Sequence, residues 1–476
     1  MRVTTIDRFD TASGEILSWA VDVSRSAPRV SAVPPSFNQT VHLASAGEHS
    51  VWLAAAFTVD GPIDRTALHR AYHALITRHG TLHSAFRRDG DVFVREEYDA
   101  RTLTLRPNPG VRATSPQTTR QAIWKALDAA CHPFGFPAYF LAAIDRPDAS
   151  TIVCGFDHSH VDAYSISIIV NDLHRLYRGH RDALETFSAE LLPMSGNFVD
   201  YCAEESAATP IRPSDPRLLS WLRFFDERDG TPPSFPLDLG VAPGQTAPQR
   251  TDVRPLLDEA ATERFAALCR RNGASPLAGV LAAMADTVRR LGGGPELALL
   301  FPLHTRRNGP WENAVGWFTT NAPLQVVGGR DALDSVRRTG SALRSAMRLA
   351  EVPVPQVISA MNGMNMVRRD IFMVSYIDYR VLPGGDVHTE LDAHHISNVT
   401  TADDAQFWIS RTDHGLAIRT RYPDTAIGRA TIDTFLGSVA RSIEHTLSMS
   451  VQGLTTTVAD PTARRHARST AVPAAS

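Results

Sequence analysis

The sequence predicts a mixed α/β (α+β) protein built from two domains. Three observations carry this. The 476 residues are too many for one ordinary hydrophobic core. Apolar runs of strand period and stretches of helical period follow one another along most of the chain. A segment rich in proline and glycine, with Thr209-Pro210, Pro213-Ser214-Asp215-Pro216 and Thr231-Pro232-Pro233, interrupts the series. The expected division is 1–206, a linker region at 207–250, 251–452, and a disordered tail at 453–476 rich in Ala, Thr, Arg and Ser.

Composition narrows the function classes. Hydrophobic residues make up 43% and charged residues 21%, as in a soluble globular protein. The formal net charge of -3 gives no nucleic-acid footprint. No apolar run is long enough for a bilayer, and the N-terminus has no secretory h-region. These features predict a cytoplasmic protein, at most peripheral to a membrane. Cys131, Cys154, Cys202 and Cys269 lack CxxC spacing and read as free buried thiols. Lys125 is the only lysine, which weakens any lysine-based chemistry.

In chain order, residues 1–30 supply one or two strands, and Val33-Pro34-Pro35-Ser36 breaks regular structure. Val51–Val59 is a buried strand by its apolar content. Asp64 caps a helix carrying Leu68, Ala71, Tyr72, Leu75, Ile76 and His79 on one face. Leu82–Phe86 and Val92–Glu97 form a hairpin about Gly90. Thr118–Ala130 is helical, and Tyr139–Ile144 is a strand. In Thr151–Tyr177, Ile152, Cys154 and Phe156 alternate as on a strand. Ile166, Ile169, Val170, Leu173, Leu176 and Tyr177 then form a helical stripe. A short helix at Leu218–Asp229 lies in the linker region. Beyond it come helices at Ala260–Arg271 and Pro276–Arg290, strands at Leu297–Leu303, Ile371–Asp378, Phe407–Arg411 and Gly415–Arg421, and a helix at Ile427–Leu447.

The turn between the strand and helix of Thr151–Tyr177 carries His158 and Asp162, spaced His-x-x-x-Asp. The spacing alone is weak, since about one chance match is expected in such a chain. A second match, His388 and Asp392, lies in a polar stretch with no helical stripe after it. The strand-turn-helix junction is where a rigid scaffold can aim a side chain, which favours His158. A partly buried histidine satisfied by backbone groups is the competing reading. A zinc site would need His160 and a further ligand, and no cluster completes it, so no metal is expected. No G-x-S-x-G elbow and no phosphate loop occur.

Four ordered segments carry a family resemblance. Asp157-His158-Ser159-His160-Val161-Asp162-Ala163 is similar to the motif His-His-x-x-x-Asp-Gly, with Asp157 and Ala163 as departures. Arg78 through Phe86, Pro35-Ser36-Phe37-Asn38-Gln39, and Arg306 through Val315-Gly316-Trp317-Phe318 to Leu324 also agree. The chain resembles the condensation-domain superfamily of acyltransferases. Within it the likeness is to actinobacterial polyketide synthase-associated acyltransferases that build acyl-trehalose lipids.

The resemblance implies two chloramphenicol acetyltransferase-like subdomains in a V-shaped pseudo-dimer, with the active site at their interface. It implies His158 as general base, and Asp162 as a structural residue paired with Arg306. Trp317 and Asn321 would line the tunnel, unless they are ordinary core and turn. Asp157 either orients His158 or caps the turn. The implied reaction moves an acyl chain, fatty or polyketide, from acyl-CoA or an acyl-carrier protein to a hydroxyl acceptor such as a trehalose-type glycolipid. The thioester is a substrate, and no cofactor is expected. A polyketide synthase is an implied partner. Two alternatives stay open: a free-standing peptide-synthetase-type condensation enzyme with a carrier-bound donor, and a non-catalytic scaffold.

Overall fold

The computed structural model describes residues 1–25, 27–47, 51–182, 192–306 and 309–455. Helices and strands gather around two large sheets, one in each half of the chain. The first sheet has eight strands. Its order is Arg2–Thr5, His394–Ser397, Trp52–Asp60, Ala149–Asp157, Tyr139–Asp145, Gly14–Asp22 and Thr104–Pro107, with Val111–Ala113 also pairing to Gly14–Asp22. The second has seven strands: Thr319–Val327, Glu296–His304, Met373–Asp378, Gln406–Thr412, Gly415–Pro423, Ala247–Leu257 and Thr401–Ala402. A small sheet of three joins Arg29–Val30, Val92–Glu97 and Ser84–Asp89.

The apolar run at 52–59 is buried on both faces. Leu53, Ala55, Phe57 and Val59 share a core with Leu68, Tyr72, Leu75, Ile169 and Leu173, which lie on helices Arg65–Arg78 and Ala163–Arg181. Trp52, Ala54 and Ala56 pack with Ile123 and Leu127 of helix Pro116–Ala130. A strand covered on both faces has no reason to alternate, which is why its sequence does not. Asp64 caps its helix as expected, accepting from Thr66 N and Ala67 N at 2.9 Å. In the second half, helices Glu259–Arg271, Pro276–Arg290 and Ala426–Thr455 enclose a core with Phe265, Leu281, Phe407 and Phe435.

Several elements differ from the sequence reading. Phe37–Ser45 is a helix, opened by a capping box in which Ser36 and Gln39 each hold the other's backbone N–H. A 3-10 turn, Gly80–His83, delays the strand to Ser84–Asp89. Helices Phe198–Ser206, Ala332–Leu349 and Val354–Ala360 are additions. Ala332–Leu349 buries a narrow stripe that includes Val336, Thr339, Gly340, Leu343 and Ala346, a clear amphipathic period that the sequence reading passed over. The segment 207–250 carries helix Pro216–Asp226 and the start of strand Ala247–Leu257. The last helix continues through Thr455, and the rest of the expected tail, 456–476, lies outside the described residues. All four cysteines are buried. Among the described residues no helix is long and apolar enough to cross a membrane.

The strand His394–Ser397 ties the halves together. It comes from the second half, yet it lies inside the first sheet, parallel to Arg2–Thr5 and antiparallel to Trp52–Asp60. Ile396, 1% exposed, packs from it into the core beneath Trp52. Ile396→Ala should therefore destabilise the protein by about 2–5 kcal/mol. Chemical denaturation followed by far-UV circular dichroism checks this, with a lower midpoint expected.

Candidate active site

The site begins where strand Ala149–Asp157 runs out. His158 N continues the ladder to Val51 O at 2.9 Å, and His160 N then closes a turn onto Asp157 O at 3.0 Å. The Asp157 carboxylate stabilises that turn, because Oδ1 accepts from Ser159 N at 2.9 Å and from Ser159 Oγ at 2.6 Å. Helix Ala163–Arg181 starts immediately after, with Asp162 as its N-cap accepting from Ser165 N at 2.8 Å. Strand end, turn and helix start thus set His158 and Asp162 on rigid elements.

Asp162 faces Arg306 from the other half. The guanidinium binds both carboxylate oxygens, Nη1 to Oδ2 at 2.7 Å and Nη2 to Oδ1 at 3.0 Å. Phe318 N also donates to Oδ2, at 3.1 Å. Arg306 in turn donates to Ala314 O and Gly316 O, and lies over the rings of Tyr164 and Phe318. Burial alone would raise the Asp162 pKa, but Arg306 and the Ser165 groups outweigh it and hold it low. Gly316 has no room for a side chain, since a Cβ there would meet Phe198 Cγ at 2.3 Å. The ion pair and this tight approach fix the segment that ends in Trp317.

His158 is half-buried, and its imidazole stacks on Trp317 with ring centroids 3.9 Å apart. Its pKa is lowered, first by burial and then by His42. Its own backbone, Asp157 and Asp162 pull the other way without prevailing. The ring is therefore neutral at pH 7 and able to accept a proton. The hydrogen bonds of Asp157 go to Ser159 and to His42, not to His158. Asn321 lies on strand Thr319–Val327 opposite Pro302, with its Oδ1 buried and without a partner among the described residues.

The other histidines go elsewhere. His160 turns to Thr81 Oγ1 at 3.1 Å and packs on Phe86, away from Trp317, and burial pushes its pKa down to about 4. No group of three metal-ligating side chains forms among the described residues. His388 reaches Ser167 Oγ at 3.2 Å, whereas Asp392 pairs with Arg2, so that second spacing match does not assemble. His395 bonds Tyr379 through Nδ1 at 2.9 Å. The Arg78-His79 segment braces the Asp162 helix, with Arg78 Nε and His79 Nε2 at 2.8 and 3.1 Å from Asp172 Oδ2.

Sequence reasoning missed His42, Gln39 and Arg95. His42 Nε2 lies 3.0 Å from Asp157 Oδ1, and Gln39 Nε2 donates to Ser159 O at 2.8 Å. Arg95, fully buried, holds Gln39 Oε1 at 2.8 Å. A signal existed: Ser36-x-x-Gln39 is a helix-start pattern, and residues 39 and 42 then share a helical face.

The chain is similar to known proteins over most of its length. A model of the Condensation domain matches residues 33–464. Acyltransferase PapA3 of Mycobacterium tuberculosis is 25% identical over 464 residues, covering 92% of this chain and 95% of its own. Trehalose-2-sulfate acyltransferase PapA2 of Mycobacterium tuberculosis is 26% identical over the same span and coverage. A solved PapA2 acyl transferase superposes with a TM-score of 0.83 at 22% identity, over 94% of this chain and all of that one, 100%. The solved structure shows the shared two-sheet fold, and the curated relatives make the chain an acyltransferase of non-aminoacyl groups. By the match over nearly its whole length, the chain belongs to the condensation-domain family.

Asp162→Ala should leave the Arg306 charge buried and unpaired, costing about 3–5 kcal/mol. Arg306→Ala should cost as much, and the double variant less than the sum, as a double-mutant thermal denaturation cycle will show. Because the folded pKa of Asp162 is lowered, its stabilisation is present above the unfolded value. It should be lost as pH falls through the folded one.

Proposed function

We propose that the chain transfers an acyl chain from a thioester to a hydroxyl of a trehalose-type sugar acceptor, with His158 as general base. The observation that carries this is the state of His158: neutral, half-buried, and stacked on a residue of the other half. The names of PapA2 and PapA3 support the acyl chemistry, and that of PapA2 supports the sugar. Nδ1 of His158 is buried, so Nε2 is the ring nitrogen left to meet the substrate, and in the neutral ring its lone pair can take a proton.

The acceptor hydroxyl gives its proton to Nε2 as its oxygen bonds to the thioester carbonyl carbon. When the tetrahedral intermediate collapses, the carbon–sulfur bond breaks. The proton then passes from the imidazolium to the departing thiolate, so ester and free thiol leave and His158 returns neutral. Coenzyme A or a carrier protein supplies the thioester as substrate, and the scheme needs no cofactor. Asp162 takes no proton, since its oxygens are committed to Arg306, Ser165 and Phe318. Trp317 and Asn321 line the passage to the base, Asn321 offering its unpartnered Oδ1 to an acceptor hydroxyl.

His158→Ala should keep the wild-type melting temperature and lower turnover by about 10²–10⁴-fold. Mass spectrometry of products from palmitoyl-coenzyme A and trehalose measures this, with an amine acceptor as control. Wild-type turnover in the variant would exclude the base. The acid limb of kcat/KM should lie below the ordinary histidine value of 6.5, because burial and His42 lower the pKa of His158.

A further inference from the structure

The motif departs from its family pattern at Asp157, where a histidine would stand. A histidine nevertheless sits there in space. His42, on helix Phe37–Ser45, places Nε2 3.0 and 3.3 Å from the two oxygens of Asp157. Both are buried, with His42 9% and Asp157 0% exposed. The His42 ring meets Trp317 edge-on, with centroids 5.8 Å apart and planes at 75°. Trp317 in turn stacks on His158 at 3.9 Å, and the two imidazoles are 6.3 Å apart. Three rings and one carboxylate therefore form a closed set around the turn.

We infer that His42, anchored by Asp157, is a positioning residue that holds Trp317 flat against His158 and balances the Asp157 charge beside it. This rests on His158 being the base. The geometry favours it over a plain structural lock. A second buried His–Asp pair joins His79, at the end of helix Arg65–Arg78, to Asp172 in helix Ala163–Arg181 at 3.1 Å, and it contacts Arg78 and Ser195 rather than Trp317 or His158. It supplies the internal control. Charged and titratable groups around the pair come from several elements. Asp157 and Asp162 belong to the turn, with Asp162 neutralised by Arg306. His160 also acts on Asp157, and His395 on strand His394–Ser397 acts with His158.

The test is the titration of His158 in the free protein, by nitrogen-15 NMR of labelled histidines, assigned with His158→Ala. In His42→Ala the bare Asp157 charge should move the His158 titration to higher pH. Asp157→Asn should move it to lower pH. His42→Gln, whose amide can donate to Asp157 in place of Nε2, should return it towards wild type. His79→Ala should lower the melting temperature and leave the titration in place. With palmitoyl-coenzyme A and trehalose, His42→Ala should lose about tenfold or more in kcat with KM held. An unmoved His158 titration in folded His42→Ala, or an equal shift in His79→Ala, overturns the inference. Full turnover by His158→Ala overturns the base instead, and the titration still decides the position of His42.

Discussion

The buried ion pair between Asp162 and Arg306 is the constraint on which the rest of the site depends. One carboxylate caps the helix after the turn, receives both arms of a guanidinium from the other half, and takes the backbone N–H of Phe318. A buried pair of this kind is no cheap source of stability, since both charges give up water. What it supplies is registration. Every acceptor position on Asp162 is used, and the Gly316–Phe318 segment can sit in one place only. Trp317 lies between the two anchored residues, so its ring is delivered to His158 by contacts that never touch the imidazole.

The same low-dielectric surroundings act in opposite senses on the two motif residues. For Asp162, burial is overcome by a cation at hydrogen-bond distance, and the charge stays. For His158 no anion among the described residues comes within hydrogen-bond distance, burial prevails, and the ring stays neutral. One spacing of four residues thus yields a permanent charge and a neutral base. The difference lies in what the opposite half of the chain brings to each.

Much of this was legible in the sequence, and the limits have physical causes. Alternation in Ile152, Cys154 and Phe156, and the stripe from Ile166 to Tyr177, located the strand and helix, although the strand is buried on both faces, with Val153 in the core opposite. The pairing of Arg306 with Asp162 came from the family likeness, not from spacing, since 144 residues separate them. The helix that carries His42 was legible in its Ser36-x-x-Gln39 start, but the role of His42 was not, because tertiary contact with Asp157 sets it. Ala332–Leu349 was missed although it is amphipathic, because its buried stripe mixes Asp334, Ser335, Thr339 and Gly340 with Val336, Leu343 and Ala346. The 3-10 turn before Ser84 escaped because buried Thr81 and Leu82 read equally well as strand.

The strand His394–Ser397 has a consequence for how such a chain can be recombined. The proline-rich segment after residue 206 looks like a place to cut and exchange halves between relatives. A cut there would take from the first sheet an interior strand, leaving Arg2–Thr5 with nothing to pair with and Trp52–Asp60 as an open edge. The halves are distinct in sequence but share a sheet, so neither is complete without the other. A productive chimera has to carry residues 394–397 with the N-terminal sheet they complete.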